Sequence, residues 1–188
     1  MGEIRQPPPA LLILAAFSRH DEALQWAEET GTSNWGPRAL ASEVFDFADT
    51  NYYEPTMGAG LRKVFYAFEN LIDPAELIAI KRLANQLEED YRAAHAHAEP
   101  RPLNLDPGYI TSAKLVLATT KDRDHRLFLG EGIYAEVTLH YHDGAWRARP
   151  WTYPDYARED YHEFFRRCRE YLRDRQRSPH PPSGRVER

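Results

Sequence analysis

The chain has one cysteine, two methionines and no apolar run longer than residues 10–17, and each shortage excludes something. A lone thiol, Cys168, can close no intrachain disulfide and can furnish no multi-cysteine zinc site. The apolar run falls far short of the roughly 20 residues that a membrane span requires. It follows Pro7, Pro8 and Pro9 with little positive charge ahead of it, so it lacks the basic leading region of a secretory signal. The run is therefore expected to be a first buried strand, and the protein to be cytoplasmic. Cationic side chains are also short: 24 Lys and Arg against 29 Asp and Glu leave a net charge of −5. General nucleic-acid binding, which depends on cationic surface to displace counterions, is disfavoured.

The rest of the composition is that of a globular protein, with 42% hydrophobic and 28% charged residues over a length of 188. That length fits one domain with a tail. Residues 1–175 are expected to form a single α+β domain. Residues 176–188, rich in Pro, Ser and Arg, have little to bury and are expected to form a disordered tail. Cys168 sits in Phe-Phe-Arg-Arg-Cys-Arg-Glu-Tyr-Leu, where it reads as a small packing residue rather than an activated thiolate, since no histidine is placed to act with it.

Residues 11–17 are too short for a helix and read as a strand. Residues 21–30 carry Ala23, Leu24, Trp26 and Ala27 at helical spacing and are expected to stop at Gly31. Residues 40–47 and 61–68 read as strands, separated by an irregular excursion containing Tyr52, Tyr53, Glu54, Met57 and Gly58. Asp73-Pro-Ala-Glu76 is a capping box, followed by Leu77, Ile80, Leu83, Ala84, Leu87 and Tyr91 on one helical stripe that ends near Ala94. Strands then recur over 110–118, 126–129, 133–141 and 146–151, the last three joined by Gly130-Glu-Gly132 and by the hairpin signal Asp143-Gly144. Asp155 is placed to cap a final helix bearing Tyr161, Phe164, Phe165, Cys168 and Leu172. The order strand, helix, strand, strand, helix, strand predicts a ferredoxin-like split βαβ sandwich with an added antiparallel β-meander and a C-terminal helix. Its helices would cover one sheet face and leave the other open.

Reactive side chains concentrate between Asn104 and Tyr156. Strict alternation over 133–141 would put Glu136, Thr138 and His140 on one face, within reach of Lys114 on a neighbouring strand. An acid/base or anion-binding cluster and a solvated face with ordinary cross-strand charge pairs both fit this pattern. Asn104-Leu-Asp-Pro-Gly-Tyr109 is expected to turn at Pro107 and Gly108, leaving Asp106 beside Tyr109. In the loop that follows, Lys121, His125 and Arg126 resemble a cradle for phosphate or carboxylate. Trp151-Thr-Tyr-Pro-Asp-Tyr156 can offer Trp151 and Tyr153 as a stacking wall or wedge the last helix against the sheet, and wedging is the commoner use of large aromatics. Tyr52 to Gly58 can form a lid. His95 and His97 lack the spacing of a metal site and read as surface histidines.

These residues resemble a bacterial family known as domain of unknown function 4416. The resemblance rests on Gly2-Glu-Ile-Arg-Gln-Pro7, Asp49 with Tyr52-Tyr-Glu54 and Met57-Gly58, and Leu71-Ile-Asp-Pro74. It continues through Asn104-Leu-Asp-Pro-Gly-Tyr109, Lys114 to Asp122, His125-Arg126, the segment 130–136 and the segment 151–156. It implies no established activity. Some members carry a GTP-binding label, which these residues do not support in its usual form. There is no Gly-x-x-x-x-Gly-Lys-Ser/Thr loop, and after Thr120-Lys121 the aspartates fall at Asp122 and Asp124, each one residue from the guanine-reading position.

Three functions fit the sequence. The first is binding of an anionic small molecule, a nucleotide or phosphorylated metabolite, with or without catalysis. Lys114, Lys121, His125, Arg126, Tyr109, Trp151 and Tyr153 would bind it, and Asp106, Glu136 and His140 would handle protons. No dedicated cofactor is implied, although a nucleotide held by other geometry fits. The second is a non-catalytic module whose aromatic surface meets another protein or a second copy of the chain. The third, a metal-dependent hydrolase, requires two or more of His125, His140, His142, Asp106 and Glu136 within coordination distance. The first predicts a concave pocket, and the second a flat surface with dispersed charges.

Overall fold

The computed structural model describes residues 2–177. Strand β1 (Ala10–Ser18) is buried along its whole length. It lies between β4 (Arg62–Ile72) and β5 (Asn104–Ile110), antiparallel to both. Helix α1 (Asp21–Trp35) crosses from β1 to β2 (Arg38–Ala41), and α3 (Leu77–Ala94) crosses from β4 to β5. The resulting order β2-β4-β1-β5 is the split βαβ arrangement, which β6 (Lys114–Thr119), β8 (Ile133–His142) and the edge strand β7 (Leu127–Gly130) extend antiparallel. β9 (Ala145–Ala148) pairs with the other end of β8, and the short β3 (Phe45–Asp46) with β4. A one-turn helix, α2 (Glu54–Met57), and the C-terminal α4 (Glu159–Arg177) complete the fold. None of these helices is long and apolar enough to cross a membrane.

Several elements follow their local signals closely. The Asp73 carboxylate accepts from the Ala75 amide at 2.9 Å, and Glu76 accepts from the Asp73 amide at 2.8 Å, so the capping box is formed. Asp143 and Gly144 turn with φ of 47° and 77°, and Glu131 and Gly132 with 51° and 78°. Both pairs thus take the positive dihedrals of tight two-residue hairpins.

Other elements depart from expectation for identifiable reasons. α1 does not stop at Gly31, because this glycine serves close approach: a Cβ there would lie 2.8 Å from Cζ of buried Phe68. Gly36, at φ 95°, ends the helix instead. The single strand expected over 40–47 is divided into β2 and β3. Pro107 and Gly108 lie inside β5 and form no turn. α4 continues two residues past the expected boundary, with Gln176 Nε2 donating to the Pro9 carbonyl at 3.0 Å; the remainder of the expected tail, 178–188, lies outside the described residues.

The expected open face is covered. Leu12, Leu14 and Ala16 of β1 pack toward Ala23, Leu24 and Ala27 of α1 and Ile80, Ala84 and Leu87 of α3. Leu11, Ile13 and Ala15 pack on the opposite face with Tyr161, Phe164, Phe165, Cys168 and Leu172 of α4. A strand that is apolar on both faces needs both covered, and the α4 stripe supplies the second layer.

Candidate functional site

The two neighbours of β5 treat it differently. β1 pairs with it from Asn104 to Ile110, whereas β6 pairs with it only from Gly108 to Ile110. Pro107 has no N–H to donate to a ladder, and from this residue β5 and β6 part company. Gly108 holds the crossing point, where a Cβ would lie 2.3 Å from the Val116 carbonyl oxygen. Past the split a cleft of about 730 Å³ opens, bordered by β5, β6, α3, the Tyr52-Tyr53 excursion and the 153–156 segment.

Three ion pairs with largely buried partners face this cleft. Lys63 Nζ lies 2.6 Å from Asp155 Oδ2, with both side chains almost entirely enclosed and the ammonium 4.5 Å and 4.8 Å from the ring centroids of Tyr156 and Phe47. Lys81 of α3 donates to Asp106 Oδ1 at 3.1 Å and to the Leu105 carbonyl at 3.0 Å. Asn104 Nδ2 donates to the other Asp106 oxygen at 2.8 Å. Burial works to raise the Asp106 carboxyl, but the ammonium groups of Lys81 and Lys63 outweigh it and hold it below the ordinary aspartate value. The third pair is Arg126 and Glu136: Arg126 Nε donates to Glu136 Oε2 at 2.9 Å, and His125 Nε2 lies 3.1 Å from the same oxygen. Thr138 Oγ1 donates to Glu136 Oε1 at 3.1 Å.

The 151–156 segment holds this third pair in place. β7 and β9 each cover one end of β8 and leave Glu136, Val137 and Thr138 between them. The Trp151 indole N–H donates to the Val137 carbonyl at 3.1 Å, and the Thr152 hydroxyl to that of Thr138 at 2.5 Å. His125 stacks on Trp151 with centroids 5.3 Å apart, so the indole serves as a wedge and backing for the histidine. Tyr153 OH accepts from Arg126 Nη2 at 2.6 Å; burial, reinforced by the charge of Glu136, pushes this phenol up to about 12. Asp155, expected as a helix cap, is instead the partner of Lys63.

At the mouth, Lys121 Nζ donates to Tyr52 OH at 3.1 Å and stands 4.6 Å from that ring's centroid. This hydrogen bond and the lysine charge lower the Tyr52 phenol. Arg123 lines the same rim, and neither cation has a carboxylate partner among the described residues. Tyr53 lies further in, packed edge-on against Phe17 at 4.9 Å, and burial followed by the Asp106 charge raises its phenol well above the ordinary value.

Of the residues singled out from sequence, Asp106, Glu136, Lys121, Arg126 and Tyr153 border the cleft, with His125 and Trp151 immediately behind Glu136. Lys114, His140 and Tyr109 do not. Tyr109 packs among core residues on the α1/α3 side of the sheet. Lys114 is exposed at the start of β6, opposite His140. A register shift between Leu115 and Val116, whose partners are Leu139 and Val137, leaves Thr138 as an extra residue on β8. Ile133, Ala135 and Val137 therefore face α3, while Leu139 and Tyr141 face α4. Glu136 and His140, expected on one face, are on opposite faces because a bulge reverses the alternation.

Of the hydrolase set, His125 and Glu136 meet, 3.1 Å apart at Nε2 and Oε2, but no third member joins them. Asp106 is paired with Lys81, His142 lies beside Asp143, and the contact between His125 and Glu136 is shared with Arg126. Sequence reasoning missed Lys63, Lys81 and Asp155. The first two had a signal: Lys63 alternates with core residues Phe65 and Ala67, and Lys81 falls four residues after Leu77 on the apolar stripe of α3.

Searches of curated proteins and of solved structures found no match to the chain. One family model spans the split, the cleft and the segment that braces it, covering residues 8–171. On that match the chain belongs to the family described as Domain of unknown function (DUF4416).

Proposed function

We propose that the cleft between β5 and β6 binds an anionic small molecule, a nucleotide or a phosphorylated metabolite, in a cytoplasmic protein. The observation that carries this reading is the convergence of the Lys63–Asp155, Lys81–Asp106 and Arg126–Glu136 pairs on one cavity whose rim holds Lys121 and Arg123 without carboxylate partners. Burying ion pairs contributes little net stability, so three at one cleft fit a binding role better than a packing role. The rim cations would meet phosphate or carboxylate oxygens. The Tyr52 and Tyr153 rings would flank the organic part. Asp106, kept ionised by its lysines and so a weak base, would accept hydrogen bonds from hydroxyl or amino groups of the ligand.

Thermal-shift titration with nucleotides, sugar phosphates and inorganic phosphate tests this. A ligand at about 100 times its Kd stabilises by about 2.7 kcal/mol, which corresponds to a Tm rise on the order of 5–10 °C for a chain of this size. Lys121→Ala should weaken that ligand by about tenfold, equivalent to about 1.4 kcal/mol, with the unliganded Tm almost unchanged. A ligand whose shift survives both Lys121→Ala and Arg123→Ala would place the binding site elsewhere. A second reading, a protein-interaction module, is favoured by one feature: Leu127, Phe128 and Leu129 are exposed on the edge strand β7.

A further inference from the structure

We propose a second site, independent of the cleft, in which His20, Glu22 and His97 bind one divalent transition-metal ion of the zinc class. His20 precedes α1, Glu22 lies in the first turn of that helix, and His97 lies in the segment after α3. Each presents a ligating atom, and those atoms lie within 4.8 Å of one another, the sole such group of three or more donors among the described residues. A tetrahedral zinc ion with bonds of about 2.0–2.1 Å needs donors about 3.3 Å apart, so modest side-chain rotation closes the gap.

The surrounding groups are arranged as the outer partners of metal-bound imidazoles usually are. His20 Nε2 is 3.0 Å from Glu99 Oε2, while its Nδ1 faces Glu22 at 3.8 Å. That leaves Nδ1 to coordinate, with Glu99 orienting the ring from behind and itself held by Arg19 at 2.9 Å. His97 Nε2 is 3.0 Å from Tyr91 OH, which frees its other nitrogen. The two imidazole rings come within 4.1 Å of each other, centroid to centroid. Two nitrogen donors and one carboxylate suit zinc, cobalt or nickel over magnesium or calcium, which prefer all-oxygen sets. The set leaves a fourth position for water or another ligand.

The experiment uses the full chain, stripped with chelator and titrated with cobalt, followed by visible d–d absorption, and with zinc, followed by calorimetry. One equivalent per chain should bind and raise Tm, and His20→Ala and His97→Ala should each weaken binding at least about tenfold. His142→Ala should bind as the parent chain does. Because His97→Ala can disturb packing against Tyr91 and His20→Ala the stacking on His97, Glu22→Gln, at an exposed side chain, provides the folded variant and should also weaken binding by about tenfold. Parent-like affinity in Glu22→Gln, or in the folded His20→Ala/His97→Ala double variant, overturns the site. Failure of the parent chain to bind either metal saturably also overturns it. None of these outcomes depends on Lys121 or Arg123.

Discussion

At the scale of single residues, the cleft is a problem of compensated charge. Lys63 stands among aromatic rings with Asp155 as its ionic partner, and removing either would leave an isolated charge away from water, typically a loss of about 3–5 kcal/mol. Asp106 is linked to pH in a definite direction. Its folded-state affinity for a proton is lowered from the ordinary aspartate value by Lys81 and Lys63 against the opposing effect of burial. Its contribution is therefore complete above that value and is lost as pH falls through the lower folded-state value. The urea midpoint of the parent chain should fall in the acid window below the ordinary aspartate value, in part through this residue. Asp106→Asn should be less stable at neutral pH, where Lys81 loses its partner, and should lose less stability on acidification. An Asp106→Asn curve parallel to that of the parent across this window would remove the linkage.

At the scale of elements, the site depends on where strands separate and where alternation breaks. Gly108 keeps β5 and β6 in contact at the last pair before the cleft, with a backbone carbonyl where a side chain would sit. Gly108→Ala should therefore cost about 1–3 kcal/mol by overpacking, read as a lower urea midpoint. Faster amide exchange in Gly108 to Ile110 than in the β1 partners of the same strand would locate the damage. Uniform exchange with unchanged stability would contradict it. The same two strands show what was legible beforehand. The capping box at Asp73 and the hairpin turns at Asp143 and Glu131 follow from side chains acting on their own backbone, and the succession of strands and helices along the chain follows from their periodicity. Pro107-Gly108 was misread because glycine was there for proximity to a neighbouring strand, which only tertiary structure reveals. The bulge at Thr138 has no composition of its own, so nothing local separates Glu136 from His140. Lys63 and Lys81 were hidden differently: their positions were core positions, but a lysine in a pattern of apolar residues reads as an interruption until its carboxylate is found.

At the scale of the whole molecule, α4 decides whether the sheet is a sandwich or a half-covered layer. Its face buries Cys168 completely among Tyr161, Phe165 and Leu172, and burial pushes the thiol far above its ordinary value. The lone cysteine is thus a reporter on the packing of this helix. A thiol-specific disulfide reagent should leave the native chain unmodified and should label one group per chain in urea, with labelling that tracks global unfolding. Rapid labelling without denaturant would mean that α4 detaches while the remaining sheet stays folded. The contact of Gln176 with Pro9 brings the end of this helix to the start of β1. On the ribosome this pairing becomes a delay. Synthesis runs at about 5–20 residues per second, and the first strand emerges long before the helix that must cover its second face. For several seconds the nascent chain has Leu11, Ile13 and Ala15 without their final partner, the interval in which a chaperone would have something to hold.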